Sequence, residues 1–154
     1  MVSVLFVCLG NICRSPMAEF IFKDLVKKEK LQVKFKIESV ATSYEEIGND
    51  MHQEAKRKLQ ENGIPYEKRK ARRLTKEDYN KFDYIIGMDS SNIRNILRII
   101  EKNEKNKVCK LLDFTKNTRD IEDPWYTGNF TKAFNDIYDG CNALLEYIKV
   151  NNVI

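Results

Sequence analysis

Cys8 and Arg14 are separated by five residues in CLGNICRSP, with the apolar run SVLFV (3–7) before them and Ser15-Pro16 after. A cysteine is a strong nucleophile once it is a thiolate. An arginine guanidinium is a planar fork that matches two oxygens of a phosphate. A loop of this length, leaving a strand and entering a helix, can turn its backbone N–H groups toward an anion, and the positive end of the helix dipole adds to the attraction. Such surroundings lower a cysteine pKa below the ~8.5 of a free thiol. Cys8 is therefore expected as a thiolate beneath a bound phosphate, aligned for in-line attack. The opposing reading makes Cys8 a small apolar filler. The strand before the loop, Gly10 within it and the Ser-Pro helix start after it favour the chemical one.

Other chemistries find less support. The single histidine, His52, would have to serve alone as the base of a cysteine protease, and a lone histidine near a helix start reads as a surface group. The four cysteines, Cys8, Cys13, Cys109 and Cys141, are too few and too scattered for a secreted disulfide framework, and they lack zinc-site spacing. No metal and no cofactor are expected.

The elements that must position the loop can be read from periodicity. SVLFV has the continuous apolar character of a strand buried on both faces. Ser15 is expected to cap a helix with Pro16 in its first turn and Met17, Ile21 and Leu25 on its inner face. Residues 34–42 form the next strand. Asp50 is expected to open a helix through Met51, Ala55 and Leu59, stopped by Asn62-Gly63 and Pro65. Thr75 to Asp78 resembles a capping box. Residues 82–88 read as a third strand, capped on by Asp89 or Ser90 into a helix carrying Ile93, Ile96, Leu97 and Ile100. Residues 107–112 form a fourth strand, and a loop from Asp113 to Asn129 holds the only tryptophan. The last helix aligns Phe134, Ile137, Tyr138, Cys141, Leu144, Leu145 and Ile148. Strands alternating with helices predict a parallel sheet covered on both faces, in a single α/β domain. Ligands of such sheets bind beyond the carboxyl ends of the strands, where Cys8, Met88-Asp89 and the loop after residue 112 all lie.

Composition sets outer limits. With 42% hydrophobic and 32% charged residues and a net charge of +4, the chain reads as an ordinary globular domain of 154 residues. KRKARR (68–73) reads as a solvated loop or as a patch attracting phosphorylated partners. No interleaving of basic and aromatic residues suggests nucleic acid. No apolar run approaches the roughly 20 residues of a membrane span. MVSVLFV lacks the basic segment of a signal peptide, so a cytoplasmic location and no membrane insertion are expected.

CLGNICRSPMAE resembles the phosphate-binding loop of the low-molecular-weight protein tyrosine phosphatases. Further matches follow in order: ESVATS (38–43), ENGIP (61–65), ARRLTKEDY (71–79), FDYIIGMDSSN (82–92) and EDPWYTGNF (122–130). The resemblance implies one such domain over residues 1–154, with a four-stranded parallel sheet flanked by helices. It also implies a monomeric phosphomonoesterase that needs no cofactor, acts on phosphotyrosine-containing proteins, and is inhibited by phosphate and other tetrahedral oxyanions. On this resemblance Cys8 is the nucleophile, Arg14 the transition-state arginine and Asp123 the general acid. Leu9, Gly10, Asn11, Ile12, Cys13, Arg14 and Ser15 form the phosphate loop. Asn11 and Ser39 hold its shape, the Ser15 hydroxyl eases thiolate departure, and Cys13 is the redox partner of Cys8. Trp125 and Tyr126 wall the substrate cleft.

The proposed roles agree with elementary chemistry. A tyrosine leaving group has a conjugate acid of pKa about 10 and needs a proton donor. Asp123-Pro124 would read as a turn opener in isolation. Beside the Cys8 loop, Asp123 is the expected donor. The chain also departs from the family pattern. Glu45, with Tyr44 before it, stands where the opposite cleft wall usually has an aromatic. Thr127 is inserted before Gly128, and Arg69 stands roughly where many members carry a histidine supporting the loop serine. Two rival readings are an arsenate reductase on the same fold and a catalytically silent phosphotyrosine-binding module. The first needs two further cysteines close together, whereas Cys109 and Cys141 read as core. The second predicts loss of Cys8 or Asp123, and both are present.

Overall fold

In the computed structural model, which describes residues 1–154, the chain alternates strands and helices as its periodicity implies. β1 (Val2–Cys8) and β2 (Phe35–Ala41) flank the helix α1 (Arg14–Lys28), and α2 (Gln53–Glu61) and α3 (Asp78–Lys81) precede β3 (Tyr84–Gly87). α4 (Ser90–Ile100), β4 (Val108–Lys110), the short α5 (Pro124–Thr127) and α6 (Phe130–Asn151) complete the chain. The four strands run parallel in the order β2-β1-β3-β4. The family's four-stranded parallel sheet, expected from the resemblance, is thus present.

β1 is central and buried throughout, which explains its lack of polar alternation. Val4, Phe6 and Cys8 point into the larger core with α1 and α6, where Phe6 meets Phe22 edge-on at 5.7 Å. Leu5 and Val7 point to the opposite core with Tyr79, Phe82, Ile96 and Ile100. Each such side chain contributes about 1.5–3 kcal/mol by leaving water. The end of β1 is thus fixed from both sides, and with it Cys8.

Three of the expected element boundaries shift, and one inner stripe narrows. α1 starts at Arg14, with Cys13 as its cap residue and no side-chain cap; Ser15 lies inside the first turn because its hydroxyl is engaged by Cys8 and Asn11. α2 is capped by His52, not Asp50: the imidazole Nδ1 accepts from Glu54 N–H at 3.0 Å, while Asp50 is held by the N–H groups of Met51 and Arg69. β4 spans only three residues. Leu111 and Leu112 leave the ladder for a 3-10 turn, both buried in the core that α6 shares. The inner stripe of α4 is narrower than read, since Leu97 is exposed.

Gly87, at the end of β3, lets α4 approach closely. A Cβ there would lie 2.9 Å from Ile93 Cδ1 and 3.2 Å from Asn92 Cβ. That approach brings Asp89, the cap of α4, to the edge of the sheet where Cys8 emerges.

Candidate active site

The loop from Cys8 to Ser15 is built around the cysteine sulfur. Asn11 N–H and Ser15 N–H point at Cys8 Sγ from 3.3 and 3.4 Å, and Ser15 Oγ lies 3.0 Å away. Asn11 takes the left-handed conformation (φ 58°), which reverses the loop and which asparagine tolerates better than most residues. The N–H groups of Gly10, Ile12, Cys13 and Arg14 donate to no group of the protein. Two amides thus converge on the sulfur and four more of the same loop are free to donate, a set of donors suited to an anion.

Arg14 is 2% exposed. Its Nη1 donates to Asp89 Oδ2 at 2.7 Å and to the Ile121 carbonyl at 2.8 Å. Its Nη2 approaches Asp123 Oδ2 at 3.3 Å. Burial works against the cation, but the negative charges of Cys8, Asp123 and Asp89 outweigh it and hold the Arg14 pKa above the ordinary arginine value. With Nη1 committed to its anchors, Nε and Nη2 form the edge that remains for two oxygens of a ligand.

Cys8 and Arg14 line a small open cleft with Leu9, Gly10, Ile12, Cys13 and Ser43. Glu45, Glu46, Asp123, Trp125 and Tyr126 rim it. Asp123 caps α5, its Oδ1 accepting from Trp125 N–H at 3.0 Å, so the carboxylate and the aromatic wall are placed by one short turn. Tyr44 does not line the cleft. Its ring turns outward and covers the Arg73 guanidinium at 4.1 Å, and Glu46 takes a place on the wall instead. Cys13 faces the cleft beside Cys8, 5% exposed, and burial, then the nearby Cys8 charge, push its thiol up. Cys109 and Cys141 lie away from the cleft in β4 and α6; burial pushes the Cys109 thiol up to about 12 and Cys141 also upward.

Behind the loop runs a buried polar chain. Asn11 Nδ2 donates to Ser15 Oγ at 2.7 Å and to Ser39 Oγ at 3.0 Å, and Ser39 donates to Glu19 at 2.6 Å. Arg69 Nη2 donates to Asn11 Oδ1. In the basic run 68–73 the three arginines are structural, while Lys68 and Lys70 are exposed as a solvated loop would have them. Arg72 binds Asp78, Arg73 binds the Thr42 carbonyl, and Arg72 and Leu74 are stitched to Ala41 at the end of β2 by backbone hydrogen bonds.

Asp89 and His52 are the site-shaping residues that sequence reasoning missed. Asp89 was visible only as a helix cap, at a strand end on the correct edge. His52 N–H donates to the Ile12 carbonyl at 2.8 Å, and its ring stacks on Phe130 (centroids 5.0 Å) and meets Trp125 edge-on (5.9 Å). It joins the phosphate loop to the aromatic wall, and no local pattern announces that.

Known proteins place this arrangement. The family model described as low molecular weight phosphotyrosine protein phosphatase matches residues 3–153. The low molecular weight protein-tyrosine-phosphatase YfkJ of Bacillus subtilis is 42% identical over 151 residues, covering 97% of each chain. The low molecular weight phosphotyrosine protein phosphatase of Gallus gallus is 44% identical over 145 residues, covering 90% of this chain and 88% of its own. The crystal structure of YfkJ from Bacillus subtilis superposes with a TM-score of 0.96 at 41% identity, over 99% of this chain and 98% of that one. Sequence and fold agree, and the chain belongs to the low molecular weight phosphotyrosine protein phosphatase family.

Proposed function

We propose that residues 1–154 act as one phosphatase domain that hydrolyses phosphotyrosine in proteins, and small aryl phosphates, through a phosphoryl group carried on Cys8. The observation that carries this reading is the convergence on Cys8 Sγ of two backbone N–H groups and the Ser15 hydroxyl, with Arg14 and Asp123 in the same cleft. The thiolate attacks phosphorus and the P–O bond to the aryl group breaks. The leaving oxygen takes its proton from the Asp123 carboxyl. The Asp123 carboxylate then accepts a proton from water as that water attacks the phosphorus, and the P–S bond breaks. The Ser15 hydroxyl donates to the departing sulfur. Free amides of the loop and the Nε–Nη2 edge of Arg14 hold the three equatorial oxygens through both steps.

The aromatic rim supports an aryl ester. Trp125 and Tyr126 are 58% and 74% exposed and form one side of the mouth, so a phosphotyrosine ring can lie against them while its phosphate reaches the loop. The shorter phosphoserine arm would leave that wall uncovered. Free phosphate and other tetrahedral oxyanions, which fit the same loop, should compete with substrate. The domain is read as working as a monomer. No helix is long and apolar enough to cross a membrane, in keeping with a protein that meets its phosphoprotein substrates in water.

The test is turnover of a series of aryl phosphates in the presence of chelator. Wild type should be active and Cys8→Ser inactive. Asp123→Asn should slow esters with basic leaving groups far more than those with acidic ones. Activity in Cys8→Ser, or equal slowing across the series, would refute the assigned roles.

A further inference from the structure

We propose that His52 is a positioning residue for aryl substrates: its ring, fixed by capping α2 and backed by Phe130, holds Trp125 ready to receive the substrate ring. That role rests on the reading of Trp125 as part of an aryl-phosphate site, and it names the group that keeps this side of the site in place.

Trp125 needs such a support. It sits in α5, a helix of only four residues, and more than half of its surface faces solvent. Its ring pairs with a single aromatic neighbour, His52, which it meets edge-on at 5.9 Å and 88°. An exposed side chain that is free to change rotamer must be ordered when a ligand lands on it, at an entropic cost that weakens binding. A ring already held in its bound orientation avoids that cost. Edge-to-face aromatic pairs are also attractive in themselves, beyond the area they bury.

His52 is itself fixed from three directions. Its backbone N–H donates to the Ile12 carbonyl at 2.8 Å and its carbonyl accepts from Lys56 N–H at 3.1 Å, which ties the backbone to the phosphate loop and to α2. Nδ1 accepts from Glu54 N–H at 3.0 Å, which sets the rotation of the ring and places the proton of the neutral imidazole on Nε2. The ring face lies on Phe130 at 5.0 Å and 25°, and Phe130 is the buried first residue of α6. The orientation of Trp125 is thus referred to the core through His52. Residue type matters here: an asparagine caps a helix but has no ring, and a phenylalanine has a ring but no acceptor for Glu54 N–H. Histidine supplies both from one imidazole. Cap and ring can therefore be removed one at a time.

The test uses the full-length protein and two anions that fit the Cys8 loop, inorganic phosphate and phenylphosphonate, of which only the second carries a ring. Isothermal titration calorimetry gives both dissociation constants, and Trp125, the only tryptophan, reports its own mobility through fluorescence anisotropy decay. His52→Asn keeps the cap and removes the ring. It should weaken phenylphosphonate binding about fivefold, the loss of one aromatic pair, while phosphate stays within about twofold. Trp125 should depolarise faster in this variant. His52→Phe keeps the ring and removes the cap, so it should lower the urea midpoint yet hold phenylphosphonate within about twofold of wild type. Toward p-nitrophenyl phosphate, His52→Asn should raise KM about fivefold with little change in kcat, because Asp123 is placed by its own bonds to Trp125 N–H and Arg14. In a Trp125→Ala background, His52→Asn should have no further effect on phenylphosphonate, since both act through one ring. Unchanged phenylphosphonate binding or unchanged depolarisation in His52→Asn would overturn the proposal. So would a parallel loss of phosphate binding, an equal loss in His52→Phe, or additive losses in the Trp125→Ala background. If wild type bound both anions but failed to hydrolyse p-nitrophenyl phosphate, the phosphatase reading would fall while anion binding still tested the role of His52.

Discussion

Replacing Asp89 by asparagine should disable Arg14 while leaving α4 properly capped. The two oxygens of Asp89 do separate work: Oδ1 accepts from Asn92 N–H at 2.7 Å as the helix cap, and Oδ2 pairs with Arg14 Nη1 at 2.7 Å. Asparagine caps a helix as well as aspartate does. Its amide nitrogen would then face the guanidinium, donor against donor. Loss of one partner from a buried ion pair costs about 3–5 kcal/mol. The low end applies here, because Ile121 and Asp123 still hold the guanidinium and the Asp89 side chain is 19% exposed. About 3 kcal/mol is a large part of the 5–15 kcal/mol of a typical domain. Asp89→Ala, which also removes the cap, should lose about 1 kcal/mol more. Without its inner anchor the guanidinium is drawn toward Asp123 and Cys8, and misaligning it by about 1 Å should lower kcat about 100-fold. Urea unfolding at neutral pH reads the stability, and p-nitrophenyl phosphate turnover, measured where each variant remains folded, reads the catalysis. A wild-type midpoint and kcat in Asp89→Asn would refute the assignment of Asp89 as the anchor of Arg14. Equal stability losses in the two variants would refute the separate role of the cap.

Peroxide should oxidise the Cys8 thiolate to a sulfenic acid, which the Cys13 thiol then condenses into a disulfide with release of water. Wild type should recover most activity in a thiol reductant and Cys13→Ser should not; equal recovery would show that Cys13 gives no protection. Burial pushes the Asp78 carboxyl up, but hydrogen bonds from Arg72 (3.1 Å) and Thr75 N–H (2.8 Å) overcome this and hold it below the ordinary carboxylate value. Its stabilisation is therefore complete above about pH 4 and lost as pH falls from there through the folded value, so Asp78→Asn should flatten the acid side of the stability–pH curve measured by urea unfolding. In Gly140→Ala, the new Cβ would lie 2.5 Å from Leu111 Cγ. Overpacking of about 1–3 kcal/mol should exceed the gain of about 1 kcal/mol in helix propensity and lower the melting temperature by a few degrees; an unchanged or higher value would show that Leu111 yields freely.

The cysteine loop was legible because its meaning is local. Strand, Cys8, Gly10, Asn11, Arg14 and helix start follow within fourteen residues, and the amides that face Cys8 come from that segment's own backbone. The α/β class was equally legible, since periodicity reports which face each element buries. Even locally, Ser15 was misplaced as a cap, because a hydroxyl at a helix start can serve the helix or a neighbouring sulfur and only the folded loop decides. What the sequence by itself could not determine lies between segments far apart in the chain. Asp89 reaches Arg14 across 75 positions and Arg69 reaches Asn11 across 58. Such pairs depend on the strand order β2-β1-β3-β4, which brings the ends of β1 and β3 together, and on the stitching of Arg72 and Leu74 to Ala41 of β2. Neither hydrophobic period nor cap residues encode that order. The same reason explains Tyr44, which turned to Arg73 instead of the cleft, and His52, which lies against Trp125 and Phe130 instead of in solvent. Loop side chains take their directions from whichever neighbours the sheet delivers, and those neighbours exist only in the folded molecule.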